Sequence, residues 1–458
     1  MVSSRKASAK SRARTSTSHP AASAGETFLP DDVPGRGITV SAPIYAEPDP
    51  TPDPTKYKVA HASDKQAYAE MDALIKASKF LPLPFPVVPD LAEPVLSLAA
   101  ALGPGGDATA GKIQKSGQIV FHAAGDTGAT SGPRSENTVV DKMLADFNEE
   151  TPQALPQFFY NLGDIVYSFG EHQYYYDQFY DAYRDYPRPI FAIPGNHDGI
   201  VLPPPAGSGS PADSLAAFRA NFCTQAFSHS PDASGLSRTT MIQPGVYFTL
   251  EAPFVRILGI YSNMLENPGI ISSTSGKFSD ISDAQLTYLS AALSRIKQEN
   301  FDGAIIIAVH HPPYSFGKHS GSMVMLKEID KICSKTGVWP HAVLSGHAHN
   351  YQRYTRAIGK KQIPYLVIGN GGHGLTQLPK TIRAPQRLKM FEQPEAKDSV
   401  TLENYDALDY GYLRILVDPG QLRIEYQPAS DGAKAKAPDD SVTVRLSDAT
   451  LVHYNAPD

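Results

Sequence analysis

The chain holds its most suggestive chemistry in Gly346-His347-Ala348-His349, directly after the apolar run Ala342-Val343-Leu344. A short buried strand ending in Gly-His-x-His sets two imidazoles at i and i+2, pointing the same way. The glycine lets the chain turn so that both rings reach one small volume. Neutral imidazole is the commonest protein ligand for first-row transition metals, but two loop histidines can equally well be solvated, so the pair alone decides nothing. Four upstream motifs change the balance. They place Asp126 in Gly125-Asp126-Thr127-Gly128, and Asp164 and Tyr167 in Gly163-Asp164-Ile165-Val166-Tyr167. They place Asn196 and His197 in Gly195-Asn196-His197-Asp198, and His310 in His310-His311-Pro312-Pro313. Each has an ordinary alternative: a turn aspartate, a helix cap, a loop histidine. Together, each at the end of an expected strand, they point to one shared site.

The elements that must position these residues read as strand, loop, helix, strand from residue 118 onward. Strands are expected at 118–124, 158–162, 190–193 and 304–309, with a hairpin over 246–261. A helix is expected around 137–148 and a tyrosine-rich one around 173–183. Ser282 and Gln285 form a capping-box pattern for a third helix running to about Lys297. Alternating segments at 412–417, 422–426 and 442–446 read as a closing antiparallel sheet. In α/β sheets, ligands collect outside the carboxyl ends of the strands, so motifs far apart in sequence can meet.

Upstream, residues 1 to about 30 are rich in Ser, Ala, Lys and Arg and poor in bulky apolar groups, the composition of a disordered tail. Residues 46–56 form a proline-spaced linker. An amphipathic helix is expected from Ser63, its cap, to about Lys79, with Ala67, Ala69, Met71, Leu74 and Ile75 on its apolar face. A proline-rich arm and a short helix near 96–102 follow. The chain therefore divides into a tail and linker (1–56), a helical and proline-rich extension (57–114) and a main domain (115–458).

Two glycine patterns imitate nucleotide sites. Gly106 to Lys112 has P-loop spacing, but Ile113 stands where the metal-binding Ser or Thr belongs and no strand is expected before it. Gly369-Asn370-Gly371-Gly372-His373-Gly374 follows a strand, yet Pro379 and Pro385 replace the long helix a dinucleotide site needs, so a tight turn is expected.

Composition sets further limits. The formal net charge of the 458-residue chain is −6, and its basic residues cluster only at the N-terminus, which argues against nucleic-acid binding. Two cysteines, Cys223 and Cys333, make no disulfide framework. No uninterrupted apolar stretch reaches the roughly 20 residues of a membrane span. No apolar region follows the basic start as in a signal peptide. A soluble, cytoplasmic protein is the expectation.

The five motifs in this order resemble the calcineurin-like metallophosphoesterases, and among them are most similar to the purple acid phosphatases. Tyr167 carries the finer resemblance, because the serine/threonine protein phosphatases have Asp and Arg after the second Gly-Asp. The resemblance covers roughly residues 115–430. It implies an α/β fold, a four-layer sandwich of two mixed β-sheets flanked by helices. It also implies two metal ions, Fe(III) plus a divalent Fe, Zn or Mn. Asp126, Asp164, Tyr167 and His349 would hold one ion, and Asn196, His310 and His347 the other, with Asp164 bridging. His310, rather than His311, fits the His-x-Pro register. His197 and His319 would face substrate, the latter able to protonate a leaving alcohol. Asp198 is expected to orient a ligand histidine, and His122, His172 and His373 to be structural.

The function so implied is hydrolysis of phosphomonoesters by in-line attack of a metal-activated water or hydroxide, as in an acid phosphatase, on a small-molecule phosphate ester. A phosphodiesterase of the same superfamily, acting on cyclic nucleotides or phospholipid head groups, shares the ligand set. A non-catalytic, metal-stabilised scaffold would not need both substrate histidines. Oligomeric state is left open.

Overall fold

The structure, a computed structural model, describes residues 37–47, 64–76, 82–86, 88, 92–148, 151–201, 213–388, 398–429 and 438–454. The expected tail, most of the linker and the Ser63 cap lie outside these residues. Ala304–Val309 has six buried residues and none that could face water, so it needs cover on both faces. It lies inside a nine-stranded sheet, parallel to Val255–Ile260 on one side and to Ala342–Ser345 on the other. Lys361–Ile368 continues the parallel run and pairs antiparallel with Tyr351–Ile358. The expected hairpin is present, with Ala252 opposite Val255.

The second sheet has seven strands. Ile119–Ala124, Pro156–Asn161 and Ile190–Ala192 are parallel. The closing segment extends them: Gly411–Val417 pairs antiparallel with Ile119–Ala124, followed by Gln421–Pro428 and Asp440–Arg445. The two sheets pack face to face. A β-carbon on Gly259 of one would lie 2.3 Å from Tyr160 Oη and 2.8 Å from Ile193 of the other. Two mixed sheets flanked by helices are the architecture expected from the sequence. The carboxyl ends of the two parallel runs meet where Gly125 packs on Gly346.

The flanking helices follow apolar spacing. Ala284–Gln298 buries Tyr288, Leu289, Ala292, Leu293 and Ile296. Met323–Thr336 buries Met325, Leu326, Ile329, Ile332 and Cys333, and stops at Gly337 with φ 77°, a left-handed conformation that glycine adopts without steric cost. No helix among the described residues is long and apolar enough to cross a membrane.

Several elements differ from expectation. The short helix expected near 96–102 is present as Leu98–Ala101, but it follows an edge strand, Val95–Ser97, parallel to Phe248–Ala252 and too short to show a period. The P-loop-like glycines lie inside a helix, Gly106–Ser116. In the N-terminal helix, Asp64–Lys76, the packed positions are Ala67, Tyr68 and Met71, while Leu74 is exposed. The tyrosine-rich stretch is not an α-helix: a tight turn at His172–Tyr174 leads into a π-helical turn at Tyr176–Tyr180. That turn closes with Asp181 N–H donating to Tyr176 O, a five-residue step. Tyr175, Phe179, Tyr180 and Tyr183 of this stretch all reach the core.

Gln285 is the clearest correction. It does not close a capping box; Asp283 occupies the N-cap position. Its buried amide instead accepts from Tyr261 N–H at 2.9 Å and donates to Tyr261 O at 2.8 Å. A tertiary partner with two unpaired groups outcompetes one helical N–H. Gln285→Glu separates the two roles, because glutamate suits a capping box but cannot donate to Tyr261 O. The substitution should destabilise the fold by about 2 kcal/mol or more through a buried carboxylate facing a carbonyl, read as a lower urea midpoint. A neutral or stabilising result would restore the capping role.

Candidate metal centre

Each of the five motifs turns sharply where its strand ends. Asp126, Asp164 and His347 have φ of 55°, 54° and 69°, unusual for residues with a β-carbon. The turns aim the side chains back between the sheets. Glycines beside them allow the approach: a β-carbon on Gly195 would lie 2.1 Å from Asp164 Oδ1, and one on Gly346 2.5 Å from Asp126 Oδ2.

Tyr167 Oη is the meeting point of one donor group. It lies 3.0 Å from Asp126 Oδ1, 2.8 Å from Asp164 Oδ2 and 3.5 Å from His349 Nε2. Asn196 Oδ1 is the meeting point of a second, 3.0 Å from both His310 Nε2 and His347 Nδ1. His310 Nε2 is also 3.4 Å from Asp164 Oδ2. The ligating atoms of Asp126, Asp164 and His310 all lie within 4.8 Å of one another. All these side chains are buried except that of His349, which is slightly exposed.

The hydrogen-bond balance of this cluster calls for cations. His310 Nδ1 is 2.9 Å from Leu162 O, and His349 Nδ1 is 3.0 Å from Gly374 O. A carbonyl only accepts, so each Nδ1 carries a proton, and in the neutral ring Nε2 would turn a lone pair toward oxygen acceptors. A metal-binding histidine commonly donates its other N–H to a backbone carbonyl in this way. Tyr167 has one proton for two carboxylates. His347 Nε2 and Asn196 Nδ2 are buried without a partner. Among the described residues only histidines approach the carboxylates at ion-pair distance, His310 at Asp164 and His349 at Asp126. Burial lowers the His310 pKa, but neighbouring Asp164 overcomes it and raises the ring to about 9. The donor set therefore fits metal ions.

The remaining site residues gather at one side. His197 Nδ1 is 2.9 Å from Ser168 O, its ring 4.3 Å from that of Tyr167. The His319 ring is 4.7 Å from His347 and 5.1 Å from His349. Its Nδ1 lies 3.0 Å from Glu266 Oε1, and Glu266 also shares a possible ligand group with His319 and His347. Burial pushes the Glu266 carboxyl up, and His319 overrides this to bring it down to about 2.

Two roles differ from the sequence reading. Asp198 orients no histidine; it accepts from the backbone N–H of Gly195 (2.8 Å) and Ile165 (3.1 Å), knitting two of the turns together. A carboxylate in the first turn of a helix is well placed for backbone donors. His373 belongs to the site, its ring stacked 3.7 Å from Tyr167. His122, by contrast, is a core residue bonded to Tyr186 and Asp146. His311 lies 4.2 Å from the His347 ring, but its two nitrogens are bonded to Ser262 and Leu265. The sequence reading missed Glu266, Gln178 and Tyr68. Gln178 fixes the Tyr167 backbone through both N–H (2.9 Å) and C=O (2.6 Å); its place in an aromatic run was the only signal.

The sequence model of the calcineurin-like phosphoesterases matches residues 120–351, just over half of the 458-residue chain and every proposed donor in it. The chain belongs to that family. Calcineurin-like phosphoesterases typically bind two metal ions, in accord with two donor groups. No curated protein matches the chain significantly in sequence. Among solved structures it is similar to GAP50, the anchor in the inner membrane complex of Plasmodium, at 12% identity and TM-score 0.47, covering 72% of this chain and 89% of that one. It is also similar to PhoD, at 14% identity and TM-score 0.41, covering 74% and 72%. A dimetal phosphatase from Danio rerio matches at 11% identity and TM-score 0.37, covering 72% and 99%.

The close approach at Gly195 can be tested directly. Gly195→Ala should cost about 1–3 kcal/mol, the usual penalty of overpacking, because its β-carbon meets Asp164. Gly111, in a helix with nothing within 4 Å of a β-carbon, supplies the control: Gly111→Ala should stabilise by roughly 0.5–1 kcal/mol. Urea denaturation of both variants checks the opposite signs.

Proposed function

We propose that the chain is a metal-dependent phosphatase that hydrolyses phosphomonoesters at two metal ions. The observation that carries this reading is that Asp164 Oδ2 touches both donor groups, 2.8 Å from Tyr167 Oη and 3.4 Å from His310 Nε2. Asp126, Asp164, Tyr167 and His349 would hold one ion, and Asn196, His310 and His347 the other, with Asp164 shared. Carboxylates and a phenolate favour a hard ion such as Fe(III), while an amide and two imidazoles suit divalent Fe, Zn or Mn. When bound, two ions supply neutralising charge for the phosphate and a water acidic enough to attack near neutral pH.

The side chains do the rest. The backbone N–H of His347 donates to Asp126 Oδ2 at 2.7 Å, and that of His197 to Asp164 Oδ1 at 2.8 Å, so the carboxylates keep their orientation as charge changes nearby. His197 and His319 flank the donors, where they bind phosphate oxygens, and His319 delivers a proton to the departing alkoxide. Glu266 Oε1 stands 3.0 Å from Nδ1 of His319, which leaves the other ring nitrogen for substrate. Residues 115–458 form the catalytic domain in this reading, and 57–114 an extension packed on it.

Metal analysis of active protein should give two ions per chain; one ion or none in active protein overturns the dinuclear reading. Reconstituted with Fe(III) and a divalent partner, the protein should show a visible phenolate-to-iron band, and Tyr167→Phe should abolish it. A band that survives removes the purple acid phosphatase likeness and leaves a generic phosphoesterase.

The proton-donor role of His319 has its own signature. General acid catalysis supplies roughly 100- to 10,000-fold, so His319→Ala should lower kcat on an alkyl phosphate by that order with metal content intact. On p-nitrophenyl phosphate, whose phenolate leaves without a proton, the loss should be much smaller. Equal losses on both substrates mean that His319 positions phosphate instead.

A further inference from the structure

The Asp64–Lys76 helix lies outside the family-matched residues 120–351, yet it reaches the site. Tyr68 Oη is 3.3 Å from His197 Nε2, and the two ring centroids are 5.2 Å apart. The far side of the Tyr68 ring meets the edge of Phe169, centroids 6.0 Å apart. Met71, three residues on and so on the same helical face, is buried in the core. Tyr68 thus has ring contacts with both His197 and Phe169. His197 Nδ1 is already committed to the Ser168 carbonyl, so Nε2 is the edge left to face a ligand, and the Tyr68 hydroxyl sits on that edge.

Tyr68 stands beside the donor cluster, since the His197 ring that it touches lies 4.3 Å from that of Tyr167. Besides burial, the charges of Glu266 and Asp164 raise the pKa of its phenol, so Tyr68 lies within electrostatic reach of both the His319 partner and the shared carboxylate. The chain that follows is fastened to the next loop: Asn263 Nδ2 donates to Leu83 O at 2.9 Å, and Phe85 packs edge-on against Tyr261. The extension therefore has an anchor in the loop that carries Glu266 as well as one at His197.

We infer that Tyr68 is a specificity-determining residue, a cover on the His197 side of the site that leaves room for one ester substituent on the phosphate. A monoester presents one organic group and can turn it toward the His319 side. A diester must place a second group, and Tyr68 stands where that group would go. The inference rests on the phosphoesterase reading above and names the residue that sets its preference for monoesters.

The test uses the full-length, metal-loaded protein and the ratio of kcat/KM on bis(p-nitrophenyl) phosphate to that on p-nitrophenyl phosphate. Tyr68→Ala should raise the ratio by about tenfold or more, the scale of one steric contact in a pocket, with metal content unchanged. Tyr68→Phe, which keeps the ring, should leave the ratio as in the wild type. Tyr68→Trp, which enlarges the cover, should lower it, and supplies the answer should the alanine variant not fold. An unchanged ratio in the Ala and Trp variants overturns the cover. So does a Phe variant that shifts the ratio as far as Ala, since the hydroxyl rather than the ring would then be responsible. A wild type that cleaves neither ester overturns the phosphoesterase reading itself.

Discussion

Two buried carboxylates, Asp126 and Asp164, stand within hydrogen-bond reach of one phenolic hydroxyl, and the surrounding architecture is arranged around that fact. Like charges repel more strongly away from water, and an unpaired buried carboxylate costs several kcal/mol. The two carboxyls respond in opposite directions. Burial pushes Asp126 well up, whereas for Asp164 the neighbouring histidines overcome burial and pull it down. What holds them is mostly backbone. Asp126 ends a strand of the seven-stranded sheet and accepts the N–H of His347, which follows a strand of the nine-stranded sheet. Asp164 accepts the N–H of His197, from the next turn of its own sheet. The same carboxylates that bear the chemistry therefore clamp the turns together.

Such clamping needs turns that pass closer than side chains permit. Gly163 has φ 97°, and a β-carbon there would lie 2.5 Å from Gly195 N and 2.8 Å from His310 Nδ1. The Gly-Asp and Gly-His pairs of the sequence are thus two halves of one requirement: a residue with no side chain where backbones touch, followed at once by a donor. Because each pair follows a parallel strand, strand direction delivers all the donors to one end of both sheets. Fold and site are consequences of the same arrangement of strands.

This explains what the sequence disclosed. The motifs around Asp126, Asp164, Asn196, His310 and His347 combine local features, an apolar run, a glycine and a donor, and all of these are visible in a short window. The closing strands at 411–445 were legible for the same reason, through their alternation. Glu266, Gln178, His373 and Tyr68 were not, since each matters through a contact with a residue distant in sequence and lies in a window that looks like ordinary loop or helix. Asp198 and Gln285 were misread for a related reason. Both sit at helix starts, where a local pattern suggested one partner while tertiary neighbours offered unpaired backbone groups.

The side chains that were hardest to read are also those that fix Tyr167. Its ring lies between His373, at 3.7 Å, and His197, at 4.3 Å. Each of those rings is tethered by Nδ1 to a backbone carbonyl, that of Gly128 or Ser168. Gln178 holds the Tyr167 main chain from the π-helical turn. With ring plane and backbone both set, the hydroxyl has one direction left, toward the two carboxylates. A tyrosine buried only for its bulk would not need its plane fixed on both faces by imidazoles. Since Tyr68 rests on the same His197 ring, the residue that covers the opening and the residue at the centre of the donor group are separated by a single side chain. A ligand that displaces Tyr68 must therefore press on the ring that sets the aim of Tyr167.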